Sequence, residues 1–389
     1  MEGVADIFRA FLKLGLTSFG GPVAHLGYFR AEFVERRRWL DDRAYADLVA
    51  LAQFLPGPSS SQVGMGLGLM RGGLPGMFAA WAAFTLPSAL LLLAFAYGAS
   101  AFQGPVASGI THGLMVVAVA VVAQAVLQMA RMLTPDAPRL ALAALALVAV
   151  LLSSTALTQI AVLIAGGIVG FAILKPGDLG NHAPLKSPIG PRLGAALIVT
   201  FFALLALLPV LAAKGGAGVQ LFDIFYRTGA LVFGGGHVVL PLLEAELVPK
   251  GFITRDAFLA GYGAAQAVPG PLFTFSAYVG AISLPQNGLA GAAICLVAMF
   301  APSFLLVPGA MPFWLRLSHV ASARAALMGV NAAVVGILAA ALYTPVFTSA
   351  IHNFADLALA LAAWAALVWS PLPVWAIVIA CGVAGIFMP

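Results

Sequence analysis

Four short glycine- and proline-rich triplets interrupt apolar stretches of this 389-residue sequence. They are Gly20-Gly21-Pro22, Pro56-Gly57-Pro58, Gly234-Gly235-Gly236 and Pro269-Gly270-Pro271. Proline lacks an amide hydrogen and glycine leaves a helix easily, so each triplet predicts a helix that stops and restarts. A restarted helix presents free N–H groups and the positive end of its dipole, which suits an anion. The alternative is a kinked helix that packs closely through glycine.

Side chains able to donate hydrogen bonds stand next to these triplets. Three hydroxyls follow the second triplet directly, at a predicted helix start: Ser59, Ser60 and Ser61. His25 and His237 follow the first triplet of each half, and either could donate to an oxyanion or carry a coupling proton. A structural role for each histidine is the alternative.

Four charged residues occupy matched positions around the first triplets. Lys13 and Arg227 each precede a triplet within an apolar segment, and two such cations could together hold a dianion. Snorkelling of both side chains to the lipid headgroups is the alternative. Glu32 and Glu246 follow the triplets and are the candidates for proton coupling, with a solvated loop position as their alternative.

The composition indicates that lipid is the solvent for most of the chain. Hydrophobic residues make up 62% and charged residues only 8%, and the mean hydropathy is +1.03. A soluble enzyme, a nucleic-acid-binding protein and a disordered chain are therefore excluded. Cys295 and Cys381 lie in different apolar segments and are expected to be buried and unpaired. We find no metal-ligand spacing, catalytic triad or phosphate-binding loop, so neither a metal nor a cofactor is expected.

Apolar segments of spanning length recur through the chain and predict an all-α polytopic membrane protein. We place them at about 7–29, 44–70, 75–98, 106–130, 139–153, 157–174, 193–213, 219–245, 257–283, 285–308, 318–343, 351–369 and 372–388. A polar linker occupies 175–192. The segment at 139–153 is the shortest of these.

The two halves of the chain are a duplication. Residues 11–15 match 225–229, Pro87-Ser88 matches Pro302-Ser303, and Gly113 matches Gly329 at nearly constant offsets. Gln53 matches Gln266, each just before a second triplet, and we expect both to satisfy the backbone there or to line the site. The predicted organisation is a repeat at 1–174, a cytoplasmic linker at 175–192, an unmatched helix at 193–213 and a second repeat at 214–389.

The unmatched helix predicts that the repeats are inverted relative to each other. An odd number of crossings separates matched positions, and inverted repeats of about six segments each are typical of secondary transporters. Positive loops place the N-terminus in the cytoplasm. The first two segments of each half either cross fully or form hairpins bent at the triplets, and the hairpins put more Lys and Arg on the cytoplasmic side.

The chain resembles the chromate ion transporter family in its long two-domain form. The resemblance lies in Phe19 to His25, Val34 to Leu40, Gln53 to Pro58, Phe233 to Gly236 and Gln266 to Pro271. It implies an inner-membrane carrier that moves chromate, commonly outward, using the proton-motive force or membrane potential. It also implies that the triplets lie in the translocation region. Sulfate is isosteric with chromate and is a second candidate substrate.

The sequence thus predicts a secondary transporter of a tetrahedral oxyanion, and not an enzyme. The substrate is expected between the two halves, against helix N-termini. The alternatives are an uptake carrier for sulfate or another oxyanion, an intramembrane enzyme acting on a lipid-linked phosphate, and an anion sensor that does not transport. The direction of transport, the coupling ion and a homodimeric assembly stay open.

Overall fold

The computed structural model describes residues 3–101, 104–177, 185 and 187–388. Within these residues the protein is helical and has no strand. The first half contains α1 (Val4–Thr17), α2 (Gly21–Phe29), α3 (Asp42–Phe54), α4 (Ser59–Ala101), α5 (Pro105–Leu133), α6 (Ala137–Leu152) and α7 (Ala156–Ile173), and it is followed by α8 (Pro191–Ala212). A π-helical turn, Arg30–Arg36, continues α2.

The second half follows the same order with more interruptions. It contains α9 (Ala217–Leu231), α10 (Val239–Leu247), α11 (Arg255–Ala265), α12 (Phe275–Ser283), α13 (Gly288–Ala310), α14 (Trp314–Leu317), α15 (Ala321–Ala341), α16 (Thr348–Ala350), α17 (Phe354–Trp369) and α18 (Val374–Gly385). Short 3-10 turns, Gly236–Val238 and Leu272–Thr274, precede α10 and α12. A π-helical turn, Leu342–Phe347, extends α15.

The predicted helix breaks are present at all four triplets. The segment predicted at 7–29 divides into α1 and α2, and the one at 44–70 ends α3 at Phe54 and starts α4 at Ser59. The separation predicted between 44–70 and 75–98 is also present, because Gly72 and Gly73 have dihedral angles that are not helical and Gly68 packs against Gly76, so that α4 consists of two helices that meet at a kink. The shortest predicted segment, at 139–153, is present as α6, which with 16 residues is one of the shorter apolar helices and not one of the spanning length that was predicted.

Six helices of the described chain are long and apolar enough to cross a membrane, and the protein is a multi-pass membrane protein. They include α4, α5, α7, α8, the region around α13 and the region around α15. Only 17% of the most apolar window of α8 is buried inside the protein. Its large exposed side chains, such as Val199 and Phe202, therefore face the lipid.

The halves interlock through matched contacts. Helix α7 packs on α15, and its counterpart α18 packs on α5. Gly113 of α5 lies against the carbonyl oxygen of Cys381, and the matched Gly329 of α15 lies against that of Gly166. Such reciprocal contacts are the mark of a twofold relation. The fold is a pair of helical repeats with the additional helix α8 between them.

Candidate functional site

The four helix breaks join in pairs across the two repeats. The Gly57 N–H donates to the Val232 carbonyl at 2.8 Å, and the Gly270 N–H donates to the Ser18 carbonyl at 2.8 Å. Ser18 and Val232 end α1 and α9, where carbonyl groups lack helical partners. The second break of each repeat thus donates an N–H group to a backbone carbonyl at the first break of the other repeat.

Glycine is required at the two positions that donate to the other repeat, Gly57 and Gly270, which we call the docking glycines. Gly57 and Gly270 have φ of 122° and 93°, which side chains of L-residues rarely adopt. A Cβ on Gly57 would lie 2.8 Å from Ser303 Oγ, and one on Gly270 would lie 2.9 Å from Ser88 Oγ. The sequence repeat matched Ser88 to Ser303 but did not predict that either serine lies at a junction between the repeats. Gln62 completes the first of the two junctions, because its Nε2 donates to the Pro56 carbonyl at 2.6 Å.

A cavity of about 150 Å³ lies beside these junctions. Its polar wall is formed by Gly20, Gly21, Gln124, Gln128, His237, Gln266 and Gly270, and its apolar wall by Val121, Ala125, Ala265, Val268, Leu272, Leu367 and Val374. These residues come from both repeats. None of the described residues that line the cavity is Lys, Arg, Asp or Glu. Five of the predicted site residues are therefore brought together around a cavity without a formal charge.

The first break presents main-chain donors to this cavity. Gly20 is the N-cap of α2 with φ 100°, and no side chain caps the helix. A Cβ on Gly21 would meet nothing within 4 Å, so the backbone there borders open space. Because the N–H groups of a first helical turn have no partner within the helix, they are available to an anion at this point.

Another part of the cavity wall belongs to a hydrogen-bonded group from the second repeat. His237 Nδ1 lies 2.6 Å from the hydroxyl of Tyr262, which is fully buried. The main-chain carbonyl of Tyr262 in turn accepts from Gln266 Nε2 at 3.5 Å. The contact with Tyr262 fixes the orientation of the His237 ring and leaves Nε2 as its other polar atom.

Two residues with polar side chains that line the cavity, Gln124 and Gln128, were missed in the sequence. Gln124 and Gln128 lie one turn apart on α5, so both face the same side of that helix. The Oε1 atom of Gln124 is buried and has no hydrogen-bond partner within the described part of the chain. Two amides four residues apart in an otherwise apolar segment were the available signal.

Other predicted residues lie near the breaks but do not line the cavity. His25 is buried, with Nδ1 3.3 Å from Ser60 Oγ and its ring edge-on to Phe84. Ser59 begins α4, Ser61 is buried, and Gln53 is exposed near the end of α3. Pro22 lies in the first turn of α2, and Pro56, Pro58, Pro269 and Pro271 flank the two docking glycines. Gly234 and Gly235 pack against Met129, and Gly236 packs against Phe273.

The matched cations lie with the matched acids rather than in the cavity lining. Lys13 Nζ is 3.8 Å from Glu32 Oε2, and Arg227 Nη1 donates to Glu246 Oε1 at 2.7 Å. Arg36 and Arg37 also bind Glu32, whereas Asp223 and Lys250 complete the second group. Each repeat therefore pairs its own cation with its own acid. A role of these residues in anion binding or proton coupling stays a prediction.

The acid of the first repeat stays ionised near neutral pH. Glu32 lies in the π-helical turn beyond α2, outside the helices long enough to span a membrane. Burial works to raise the pKa of its carboxyl, but hydrogen bonds from Arg37 and Arg36, together with their charges, bring that pKa below its ordinary value. The carboxylate is thus held as the centre of a cluster of three cations.

Comparison with known proteins agrees with this architecture. The model of the chromate transporter family matches residues 5–171 and 219–386, once for each repeat. The chain belongs to the chromate transporter family. Proteins similar to it include a chromate transport protein of Pseudomonas aeruginosa, 30% identical over 343 residues that cover 86% of this chain and 79% of the relative.

More distant relatives carry similar descriptions. A chromate transport protein of Cupriavidus metallidurans is 28% identical over 85% of this chain and 80% of its own length. An uncharacterized transporter of Methanocaldococcus jannaschii is 27% identical over 86% of this chain and 82% of its own length. No solved structure matches the chain. The predicted family is confirmed, and this member of the chromate transporter family is a transporter and not an enzyme.

Proposed function

We propose that this protein carries chromate through the cavity between its two repeats, and that sulfate, the isosteric dianion, uses the same site. The observation that carries the proposal is the cavity itself. It is bounded by the first break of one repeat and the second break of the other, at Gly20, Gly21 and Gly270. Relatives of this chain in Pseudomonas aeruginosa and Cupriavidus metallidurans are described as chromate transport proteins.

Neutral donors suit a dianion that must be both captured and released. The cavity offers amide groups from Gln124, Gln128 and Gln266, the ring of His237 and the uncapped N–H groups of α2. The positive end of the α2 dipole adds to their attraction. A fixed Lys or Arg in the lining would bind a dianion more tightly and slow its exit, whereas transport requires binding weak enough to leave.

We propose outward transport across the inner membrane, with the N-terminus in the cytoplasm. Moving a dianion out of a negative-inside cell is favoured by about 4.6 kcal/mol at 100 mV, twice the value for one elementary charge. The membrane potential can therefore drive efflux without a bound proton. A proton carried inward at His237 would add the pH gradient to this force. Glu32 and Glu246 could carry it only after leaving the cations that bind them.

The test is flux of radiolabelled chromate and sulfate in proteoliposomes with imposed voltage and pH gradients. We expect chromate to accumulate on the positive side, and unlabelled sulfate to compete with it. Saturable chromate binding without flux would overturn the proposal in favour of a sensor. Flux of sulfate that chromate does not inhibit would indicate a carrier for another oxyanion.

The cavity makes a sharper prediction for its amide side chains. Replacing Gln128 or Gln124 with leucine keeps a similar volume but removes the donor, so we expect chromate affinity to fall about tenfold for a loss of about 1.4 kcal/mol. Gln220→Leu on α9 is the matched control, because Gln220 binds the Gly215 carbonyl away from the cavity. Equal affinities in all three variants would place the substrate elsewhere.

The paired cations provide the competing prediction. If Lys13 and Arg227 hold the anion, Lys13→Ala combined with Arg227→Ala will weaken chromate binding in reconstituted vesicles more than either glutamine variant. Unchanged affinity in the double variant would remove both cations from the site. Circular dichroism on the same preparation shows whether the double variant has folded.

A further inference from the structure

A second polar cluster lies where the repeats meet, apart from the cavity. His112 belongs to α5, His352 directly precedes α17, and Asp356 lies in the first turn of α17. His112 Nε2 is 2.7 Å from Asp356 Oδ1, and His352 Nδ1 is 4.0 Å from Asp356 Oδ2. The two imidazole rings face each other at 5.9 Å with an angle of 24° between their planes. Two imidazoles therefore flank one carboxylate.

The carboxylate is fully buried and its orientation is fixed. Asp356 Oδ2 accepts the main-chain N–H groups of His352 and Asn353 at 2.8 and 3.2 Å, while Asn353 Oδ1 accepts the Asp356 N–H at 2.9 Å. This capping box directs Oδ1 at His112. Hydrogen bonds of this kind, which hold a carboxylate from behind, are the usual support of a metal ligand.

Capping of the helix does not require the two histidines. Helix α6 is the counterpart of α17, and its start is capped by Asp136, which also forms an ion pair with Arg139. The same position in the fold is thus stabilised in the first repeat by one acid and one arginine. Only the second repeat brings two imidazoles to the helix start, so their presence calls for another explanation.

We propose that His112, His352 and Asp356 form a binding site for a divalent transition metal ion, for which Zn²⁺ is the reference. Their ligand atoms all lie within 4.8 Å of one another. Two imidazole nitrogens and one carboxylate oxygen match the ligands of Zn²⁺, Ni²⁺ and Cu²⁺ and disfavour Ca²⁺ and Mg²⁺, which prefer oxygen. Three protein ligands leave one position of a tetrahedral ion to water.

The exposure of the three residues fits entry of an ion from solution. The side chain of Asp356 is 0% exposed and that of His112 is 23% exposed, whereas His352 is 60% exposed. Small rotations of the exposed His352 ring would bring a nitrogen into coordination distance while Asp356 stays in place. The buried pair provides the preformed half of the site and His352 provides the closing ligand.

A bound ion would join the two repeats. His112 belongs to the first repeat and the other two ligands to the second, so the metal would fasten α5 to α17. Since a ligand that binds only the folded protein stabilises it, the midpoint of thermal unfolding should rise with the Zn²⁺ concentration. This consequence does not depend on which substrate the protein carries.

The test is calorimetric titration of ZnCl₂ into the full chain, purified in detergent without a histidine tag and freed of metal by a chelator. We expect one Zn²⁺ per chain with a matching rise in the unfolding midpoint, and at least a tenfold loss of affinity in His352→Ala and in His112→Ala. His319→Ala is the matched control, because His319 is exposed and binds the Leu315 carbonyl elsewhere. CaCl₂ should produce no saturable heat.

His352→Ala keeps the test independent of folding defects, since that ring is exposed and the buried His112–Asp356 contact remains. Its unfolding midpoint without metal should equal that of the wild type. The proposal is overturned if the wild type does not bind Zn²⁺. It is equally overturned if His352→Ala and His319→Ala bind the ion as tightly as the wild type does.

Discussion

The two repeats contain the same cation–acid pair in very different surroundings. In the first repeat the Lys13 side chain is 57% exposed and 3.8 Å from Glu32. In the second the Arg227 side chain is 19% exposed, 2.7 Å from Glu246, and bound also to Asp223. The cation at the duplicated position is therefore part of a mostly buried ionic network in the second repeat, whereas in the first repeat it is exposed and only approaches a buried carboxylate that Arg36 and Arg37 bind more closely.

The helices next to the breaks are also packed differently in the two repeats, with more contacts to distant helices in the second. Helix α11 packs along α5, with Gly263 against the Leu114 carbonyl, whereas its counterpart α3 packs on α4 of its own repeat. Helix α10 contacts α7 and α15, both outside its immediate neighbours in sequence. The second repeat is thus anchored to the long helices of the protein. In the first repeat, the open backbone at Gly20 and Gly21 faces the cavity.

The largest expected effect follows from the buried network. Arg227→Ala leaves the carboxylates of Asp223 and Glu246 without their shared cation, and we expect it to lower the free energy of unfolding by about 3–5 kcal/mol. Lys13→Ala should cost about 1 kcal/mol or less, since the Lys13 side chain is exposed and Glu32 keeps its closer partners Arg36 and Arg37. Denaturant unfolding in detergent, followed by tryptophan fluorescence, measures both.

Arg227→Lys sharpens this comparison. Lysine keeps the charge but loses the planar fork that binds two carboxylates at once, so an intermediate loss of stability is expected. Equal effects of Arg227→Ala and Lys13→Ala would show that burial does not distinguish the two pairs, and the proposed anchoring of the second repeat would then be wrong.

A second prediction concerns a position at which the repeats are alike. Gly57→Ala and Gly270→Ala each force a Cβ against a serine hydroxyl and place alanine at a positive φ, so we expect both to lower the free energy of unfolding by about 1–3 kcal/mol. The two losses should be similar, because each glycine donates the same hydrogen bond to the other repeat. Thermal unfolding of the two variants measures them.

Gly251→Ala separates crowding from backbone strain. Gly251 also has a positive φ, 73°, but a Cβ there would meet nothing within 4 Å. Its substitution should therefore show the conformational cost alone and be milder than either docking variant. If Gly251→Ala lowers the free energy of unfolding as much as Gly57→Ala does, the whole effect comes from the dihedral angles and none from the contact between the repeats.

The sequence was sufficient to predict the breaks and the repeat, because proline and glycine act on the backbone where they stand. It was also sufficient to pair Ser88 with Ser303. It could not show that each serine faces the docking glycine of the opposite repeat, since that contact depends on how two distant segments pack. The number of residues between Lys13 and Glu32 equals that between Arg227 and Glu246. A helix break lies between the two partners of each pair, and the sequence does not give its angle. The contact between the partners was therefore not predictable.

The residues of the candidate site also divide into those that local motifs predicted and those that depend on how distant segments pack. Gly20, Gly21, Gly270 and Gln266 were predicted because they accompany the triplets. Gln124 and Gln128 were missed because they carry no motif and reach the cavity only when α5 packs against the other repeat. The meeting of His112 with Asp356 is still less visible in the sequence, since more than two hundred residues separate them.

The smallest expected effect is the dependence of stability on the ionisation of Glu32. Hydrogen bonds from Arg37 and Arg36 hold the pKa of Glu32 below its ordinary value against the opposing effect of burial. A carboxyl whose pKa is lower in the folded than in the unfolded state stabilises the fold above its unfolded value of about 4.3, and this stabilisation disappears as the pH falls through the folded value. Glu32→Gln should therefore lower the free energy of unfolding at neutral pH by about 1 kcal/mol or less, and its difference from the wild type should shrink as the pH falls below about 4.3. A difference between the two proteins that stays constant across this pH range would show that Glu32 stabilises the fold through packing, and that its cluster of cations contributes nothing as charge.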